Sequence, residues 1–378
     1  MFLQSLHLHQ FRNYEDELIR FSAPKTIVVG DNAQGKSNLL EAVELLSTLR
    51  SHRVSQDRDL VKMGTSAGRV QAQLDRSGST VDLSLTFRLA GGRTAVLNHE
   101  TLRRQLDLLG YLNTVQFSAL DLDLIRGGPG QRRHWLDNLL IQLEPYAAHL
   151  LAQYQEILRQ RNALLKTLRH REANNPALRT ELGVWDAQLV AAAVRVIRRR
   201  ARALDRLVPL AQRWHALISG QQEQLHLRYL PQVGSQHPDC WDDPSYLQDQ
   251  LFAAIQAKAI AEQQQGISLV GPHRDEVEIT INNTPARQYG SQGQQRTTVL
   301  ALKLAELQLI DEVISDPPLL LLDDVLAELD LQRQGQLLEA IQDRFQTLIT
   351  TTHLQIFDVQ WKRSSQIITI AKGQIQYT

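Results

Sequence analysis

A single cysteine, Cys240, stands among 378 residues, so a disulfide within the chain is excluded and a reducing compartment is the simpler setting. No apolar run approaches the ~18–20 residues that span a bilayer. The start, "MFLQSLHLHQFRNY", lacks the basic-then-apolar pattern of a signal peptide. A soluble, cytoplasmic protein with no membrane partner is expected. Net charge is lacking too: Lys plus Arg and Asp plus Glu number 41 each, so whole-chain charge names no partner. There is no zinc-finger spacing and no aromatic stacking motif, which leaves base-specific reading of nucleic acid without support. Internal repeats and a low-complexity tail are absent as well. What is present is an apolar share of 43%, enough for a packed core, in a chain long enough for two domains or one domain with a large insertion.

The first third alternates short apolar runs and turns, with "LQSLHLHQF", "KTIVVG", "RVQAQL" and "VDLSLTFRL" patterned as strands. From about Gln131 to Ala261 the apolar residues recur at helical spacing, and strand signals return at "GISLVGPHRDEVEITINN". The chain therefore reads α/β, then all-α, then α/β. The expected domains are a discontinuous head, 1–130 and 264–378, and an inserted helical arm, 131–263.

"IVVGDNAQGKSNLLEAV" contains G-x-x-x-x-G-K-S between a buried strand and a helix. Glycines let successive N–H groups turn toward a phosphate, and the helix adds its positive end. Gly30, Asp31, Asn32, Ala33, Gln34, Gly35, Lys36, Ser37 and Asn38 are the expected nucleotide contacts. Lys36 would reach the β and γ phosphates and Ser37 would bind Mg²⁺. "PPLLLLDDVLAELD" reads as a doubly buried strand ending in Asp323 and Asp324. Sites in open α/β sheets lie at such strand ends. Asp323 suits the metal ion and Asp324 the attacking water, although an aspartate there also serves as a plain helix cap. "RFQTLITTTH" is a further strand, ending at His353, which either senses a γ-phosphate or is simply solvated. "YGSQGQQRTT" looks like a linker but opens a helix. Ser291 and Gln294 form an S-x-x-Q capping box, and the helix start is an anion site or a plain cap.

The loop at Gly30, "SQGQQ", "LLLLDD", "ELD" and "TTH" come in the order found in ABC-type ATPase heads. Within that group the chain resembles the RecF family, through "FRNY", "GDNAQGKSNLLEA", "SHR", "RRHWLD", "QRN", "GPHRDEVE", "YGSQGQQRT" and "LLLDDVLAELD". The resemblance implies an ABC-type P-loop head with an inserted arm, ATP as cofactor, an ATP-dependent homodimer, DNA binding and slow hydrolysis. It also implies work with RecR and RecO in loading RecA at single-strand gaps. Lys36 and Ser37 match the Walker A pair, Asp323 and Asp324 the Walker B pair, Ser291 and Gly293 the signature. Asp330 matches the D-loop aspartate, His353 the switch histidine, and Gln116 is a candidate for the glutamine loop. The phosphate held by Lys36 of one copy is expected to meet the Ser291 segment of another.

Basic residues outnumber acidic ones along the arm. Arg195, Arg198, Arg199, Arg202 and Arg206 fall three and four apart, and "RQRNALLKTLRHR" adds Arg159, Arg161, Lys166, Arg169 and Arg171. Such stripes suit phosphate backbones, or are solvated faces. In the head, Arg50, His52, Arg53, Arg58 and Lys62 form a second candidate surface. The leading function is an ATP-switched DNA clamp in gap repair. The alternatives are a transporter's motor subunit and a P-loop kinase for a small metabolite.

Overall fold

The computed structural model describes residues 1–54, 56–76, 78–170, 176–233, 241–341 and 344–377. Cys240 and Arg171, both named above, lie outside them. The chain divides into two compact units, Met1–Asp121 with Leu300–Thr378, and Leu122–Val299. Among the described residues no helix is long and apolar enough to cross a membrane.

The first unit begins with strands β1 (Phe2–Phe11), β2 (Tyr14–Arg20) and β3 (Lys25–Val29), followed by helix α1 (Lys36–Thr48). Strands β4 (Ala67–Arg76), β5 (Ser79–Arg88), β6 (Arg93–Leu97), β7 (Glu100–Thr101) and β8 (Thr114–Phe117) follow. The second unit holds α2 (Asp123–Arg126), α3 (Pro129–Leu143), α4 (Ala147–His170), α5 (Pro176–Ile218), β9 (Leu225–Leu230) and α6 (Pro244–Gln265). It continues with β10 (Glu276–Ile281), β11 (Thr284–Pro285) and α7 (Ala286–Tyr289). The boundary falls inside α8 (Gln292–Ile314), after which the first unit resumes with β12 (Leu319–Asp323), α9 (Leu331–Ile341) and β13 (Thr347–Thr351). It ends with α10 (Val359–Arg363), β14 (Ser365–Ala371) and β15 (Gln374–Tyr377).

The first unit has two sheets. One is antiparallel, in the order β2-β1-β4-β5-β6-β7, with the alternating burial of a half-covered sheet. The other runs β15-β14-β3-β13-β12-β8 and is parallel except at β15. Its central strands are apolar runs because both faces are covered: Ile27, Val28, Leu319 to Leu322, Leu348 and Ile349 are all 0–1% exposed. Each such aliphatic side chain contributes roughly 1.5–3 kcal/mol by leaving water. β13 lies between β3 and β12, so the ends of all three strands meet at one edge of the sheet.

In the second unit, α5 is 43 residues long, about 65 Å at 1.5 Å per residue. Its apolar stripe packs against α4 and α6. Arg161 of α4, 1% exposed, joins the three helices through Asp186 on α5 (2.6 Å) and Glu262 on α6 (2.6 Å). The region 131–263, expected to be all-α, contains a strand: "LHLRYL" pairs along its whole length with β10. That pairing and the Arg132–Glu276 ion pair (2.7 Å) tie residues beyond 263 to this unit. The compact unit is accordingly wider than 131–263 at both ends.

Candidate active site

The loop between β3 and α1 is shaped by close approaches. A Cβ on Gly30 would lie 2.4 Å from the Ile370 carbonyl oxygen. Gly35 has φ +120°, and a Cβ there would lie 2.7 Å from the Asn13 amide. Glycine is the residue that fits both demands. The turn between β1 and β2 supports the loop from one side: Asn13 donates to the Gln34 carbonyl (2.8 Å) and Tyr14 to the Gly35 carbonyl (2.9 Å). Asn38 donates to Asn13 (2.8 Å) and Arg53 to Asn38 (2.6 Å), which extends the same network into α1. The turn between β14 and β15 supports it from the other side. There Gly373 N–H donates to the Gln34 carbonyl (3.0 Å) and Lys372 N–H to the Gln34 side-chain oxygen (2.6 Å). Ala33 adopts a left-handed conformation, and Gln34 Nε2 donates weakly to the Asn32 carbonyl (3.5 Å).

Lys36 is buried and folds back, donating to the carbonyls of Gly30 (2.8 Å) and Asp31 (3.1 Å). Its ammonium stands 3.9 Å from Asp324. Ser37 donates to Asp323 Oδ1 at 2.8 Å, although the two residues lie 286 positions apart. Thr350 of β13 donates to that same oxygen (2.7 Å) and accepts from the Asp324 N–H (2.9 Å). Thr350 therefore fixes both acids of the pair. Asp324 has φ +53°, a left-handed conformation that aspartate tolerates better than most residues. Partial burial pushes its carboxyl above the usual range; the Lys36 charge opposes this and the Asp323 charge adds to it. A glycine-shaped loop, a buried ammonium, a hydroxyl, and two carboxylates of unequal surroundings thus converge at one sheet edge.

The donor set fits Mg²⁺ arriving with a nucleotide. Among the described residues there is no cluster of three or more His, Cys, Asp or Glu that would hold a metal ion alone. Ser37 and Asp323 offer two hard oxygens, and magnesium takes the rest of its shell from phosphates and water.

The other expected site residues are placed as follows. His353 is exposed just past β13, and its N–H donates to Thr351 (3.2 Å). Asp330 caps α9, accepting from Arg333 N–H (3.0 Å) and pairing with the Arg333 guanidinium; these donors hold its carboxyl below the usual range. Ser291, Gly293 and Gln294 belong to the second unit. The capping box there is formed reciprocally: Ser291 N–H donates to Gln294 Oε1 (2.8 Å), and Gln294 N–H to Ser291 Oγ (3.2 Å).

His52 and Arg53 of the second candidate surface also bond residues of α1. Arg53 also lies 3.6 Å from Glu41, a fully buried carboxylate that accepts from Arg12 at 2.6 and 2.9 Å and from Ser51. His52 Nδ1 lies 2.5 Å from Glu44. Burial pushes the Glu44 carboxyl up, against the pull of His52. Burial would lower His52, but the bond to Glu44, with the charges of Glu44, Glu41 and Asp121, raises it overall. Arg58 and Lys62 face Asp59 (3.7 Å) and Glu15 (3.5 Å). Arg50 is exposed at the end of α1.

On α5, Arg198 and Arg202 share Asp242 (3.8 and 2.7 Å), Arg199 pairs with Glu144 (3.1 Å), and Arg195 donates to Gln153 (3.3 Å). The stripe is interlaced with acid. Arg161 leaves the second stripe altogether, because its guanidinium is buried in the ion cluster already described. Asn13, Tyr14, Thr350, Glu41 and Glu44 had no role from spacing, although "FRNY" was a landmark.

The model of the RecF/RecN/SMC N terminal domain matches residues 2–376. The DNA replication and repair protein RecF of Acaryochloris marina is 63% identical over 379 residues, covering 100% of both chains. Its namesake from Nostoc punctiforme is 62% identical over 376 residues, covering 99% of both. A structure described as the recombination mediator protein RecF-ATPrS in the RecFOR pathway is 30% identical with a TM-score of 0.91, covering 100% of this chain and 98% of that one. The Smc head domain of Pyrococcus furiosus, at 16% identity and a TM-score of 0.55 over 100% of this chain and 96% of the other, shares the ABC-type head fold. With a family model spanning nearly every residue and full-length relatives at this identity, the chain belongs to the RecF family.

Proposed function

We propose that the chain is an ATP-switched recombination mediator of the RecFOR pathway, which binds DNA at single-strand gaps and hydrolyses ATP slowly to release it. The observation that carries this reading is the convergence of Lys36 and Ser37 with the distant Asp323 and Asp324 on one sheet edge, through the Ser37–Asp323 hydrogen bond (2.8 Å) and the approach of the Lys36 ammonium to Asp324 (3.9 Å). Lys36 and the loop amides hold the triphosphate, and Ser37 and Asp323 hold Mg²⁺. Asp324, next to a buried lysine, orients the attacking water. A shorter carboxylate than glutamate in this role suits a slow switch. His353 and Asp330 act on the γ-phosphate side once a second copy arrives.

The capped start of α8 is the contribution of that second copy. With Ser291 and Gln294 satisfying each other, Gly293 lies in the first turn of a helix whose positive end meets the phosphates held by the partner's loop. The head in the functional sense is then 1–130 with 264–378, with the arm, 131–263, inserted. DNA is gripped through its backbone by exposed arginines, among them Arg50, Arg58, Arg195 and Arg202. RecR and RecO are the partners in handing the gap to RecA.

The test is a measurement of molecular mass and DNA binding with and without Mg²⁺-ATP, on gapped duplex, single strand and blunt duplex at stated salt. ATP should double the mass and prolong residence on gapped DNA, and Lys36→Arg should abolish both effects. An ATP-independent mass together with ATP-independent residence defeats the switch. Turnover that requires a small acceptor would instead favour a kinase.

A further inference from the structure

We propose that Glu44 and His52 form a holding site for Gln116, and that Gln116 must leave it before ATP is turned over. The inference rests on the ATPase reading above and concerns how that site is regulated.

β8 is the neighbour of β12, with Gln116 opposite Leu321 and therefore two residues short of Asp323. Side chains alternate along strands, so Gln116, Leu321 and Asp323 share one face. α1 covers that face: Ser37 reaches Asp323 near its start, and Ser47 reaches Thr114 near its end (2.6 Å). Glu44 lies between these two contacts, two turns along α1 from Ser37. The Gln116 side chain thus emerges beneath α1, beside the metal-binding strand.

Its amide is turned away from Asp323. Of the two amide orientations, only one satisfies every group, with the nitrogen 3.3 Å from both oxygens of Glu44. The amide oxygen then accepts from His52 Nε2 at 3.4 Å, while His52 Nδ1 donates to Glu44 at 2.5 Å. Carboxylate, imidazole and amide close a triangle. The two bonds to Gln116 are long and the one between Glu44 and His52 is short, so the pair is fixed and the glutamine is the releasable member. Two residues of parallel strand span about 6.6 Å. A rotamer change in a side chain as long as glutamine moves its amide over such a distance, toward the oxygens of Ser37 and Asp323. There it can donate and accept without taking up a proton, which makes it a positioning residue for water or phosphate rather than a base. "SHR" thereby gains a purpose beyond gripping α1.

The experiment is a double-mutant cycle on Mg²⁺-ATP turnover with DNA present, using the wild-type chain, His52→Ala, Gln116→Ala and the pair. His52→Ala should raise kcat about three- to tenfold, the worth of one released hydrogen bond. The KM for ATP should stay within about twofold, and in the Gln116→Ala background the same change should leave kcat within about twofold. Glu44→Gln, which keeps the shape of the side chain, should reproduce the pattern and guards against a folding defect in one variant. A kcat that is unchanged or lowered by His52→Ala, or that shifts by the same factor in both backgrounds, overturns the holding site alone. A wild-type chain without turnover removes the ATPase reading and this inference together.

Discussion

Asn13 binds three things at once: a phosphate-loop carbonyl, the first turn of α1, and, through close packing, the glycine between them. Removing its amide leaves the Gln34 carbonyl with one donor fewer and relaxes the loop. Asn13→Ala should weaken ATP binding about five- to tenfold, a loss on the scale of one hydrogen bond, read by calorimetry. Gly35→Ala is harsher. The position has φ +120° and no room for a Cβ, so a cost of about 1–3 kcal/mol is expected in thermal unfolding, with nucleotide binding lost. Asp324→Asn keeps the size of the side chain but removes its charge and one acceptor oxygen; turnover should fall by about 10²–10⁴ while ATP binding persists. These residues differ in how legible they were. A phosphate loop fixes residue types at fixed spacing within one stretch of chain, so Gly30 to Ser37 could be read directly. Asn13 and Thr350 act from other strands on backbone and carboxylate atoms, and no spacing rule connects them to the loop.

At the scale of elements, α8 and the segment Gly271–Asp275 carry the argument. The α8 capping box was legible because both partners lie within four residues. Ser291→Ala should cost about 1 kcal/mol at that helix start, seen as faster local hydrogen exchange. Ser291→Arg should leave ATP binding by the monomer intact and block the dimer in sedimentation. The basic stripes were only half legible, since spacing of three and four describes a solvated face and a buried ion cluster equally well. Arg161 belongs to the latter. β9 is hidden from sequence patterning because its partner, β10, lies beyond a helix and a loop.

The 271–275 segment holds His273 between Tyr154 (2.6 Å) and the Ser268 carbonyl (3.1 Å). Burial, with Arg274, Arg133 and Arg161 nearby, pushes the imidazole down to about 4 from its ordinary 6.5, against the pull of the Ser268 carbonyl. Between these values the unfolded chain binds the extra proton, so stability rises with pH through that window and is lost as pH falls through it. The loss approaches about 3 kcal/mol at its acid end. Thermal melts from pH 7 to pH 4 should show the decline, and His273→Gln should flatten it.

For the whole molecule, the consequences concern association. If several exposed arginines contact phosphates, the logarithm of DNA affinity should fall with the logarithm of salt at a slope of about 0.9 per contact. Arg58→Gln with Arg202→Gln should then reduce that slope by about 1 to 2 without changing preference among sequences. An unchanged slope would return both residues to the role of surface ion pairs. The long helices of the second unit were legible from a change in the period of the apolar residues, while the width of that unit was not, because strand pairing across it is long-range. The β14–β15 turn has a consequence in the order of synthesis. Lys372 and Gln34 are joined by a hydrogen bond although they are 338 residues apart. On the ribosome, the phosphate loop emerges before its second brace and waits for the 338 residues that separate Gln34 from Lys372. A nascent chain that has not yet reached Lys372 therefore carries the nucleotide motif with the loop braced from one side alone.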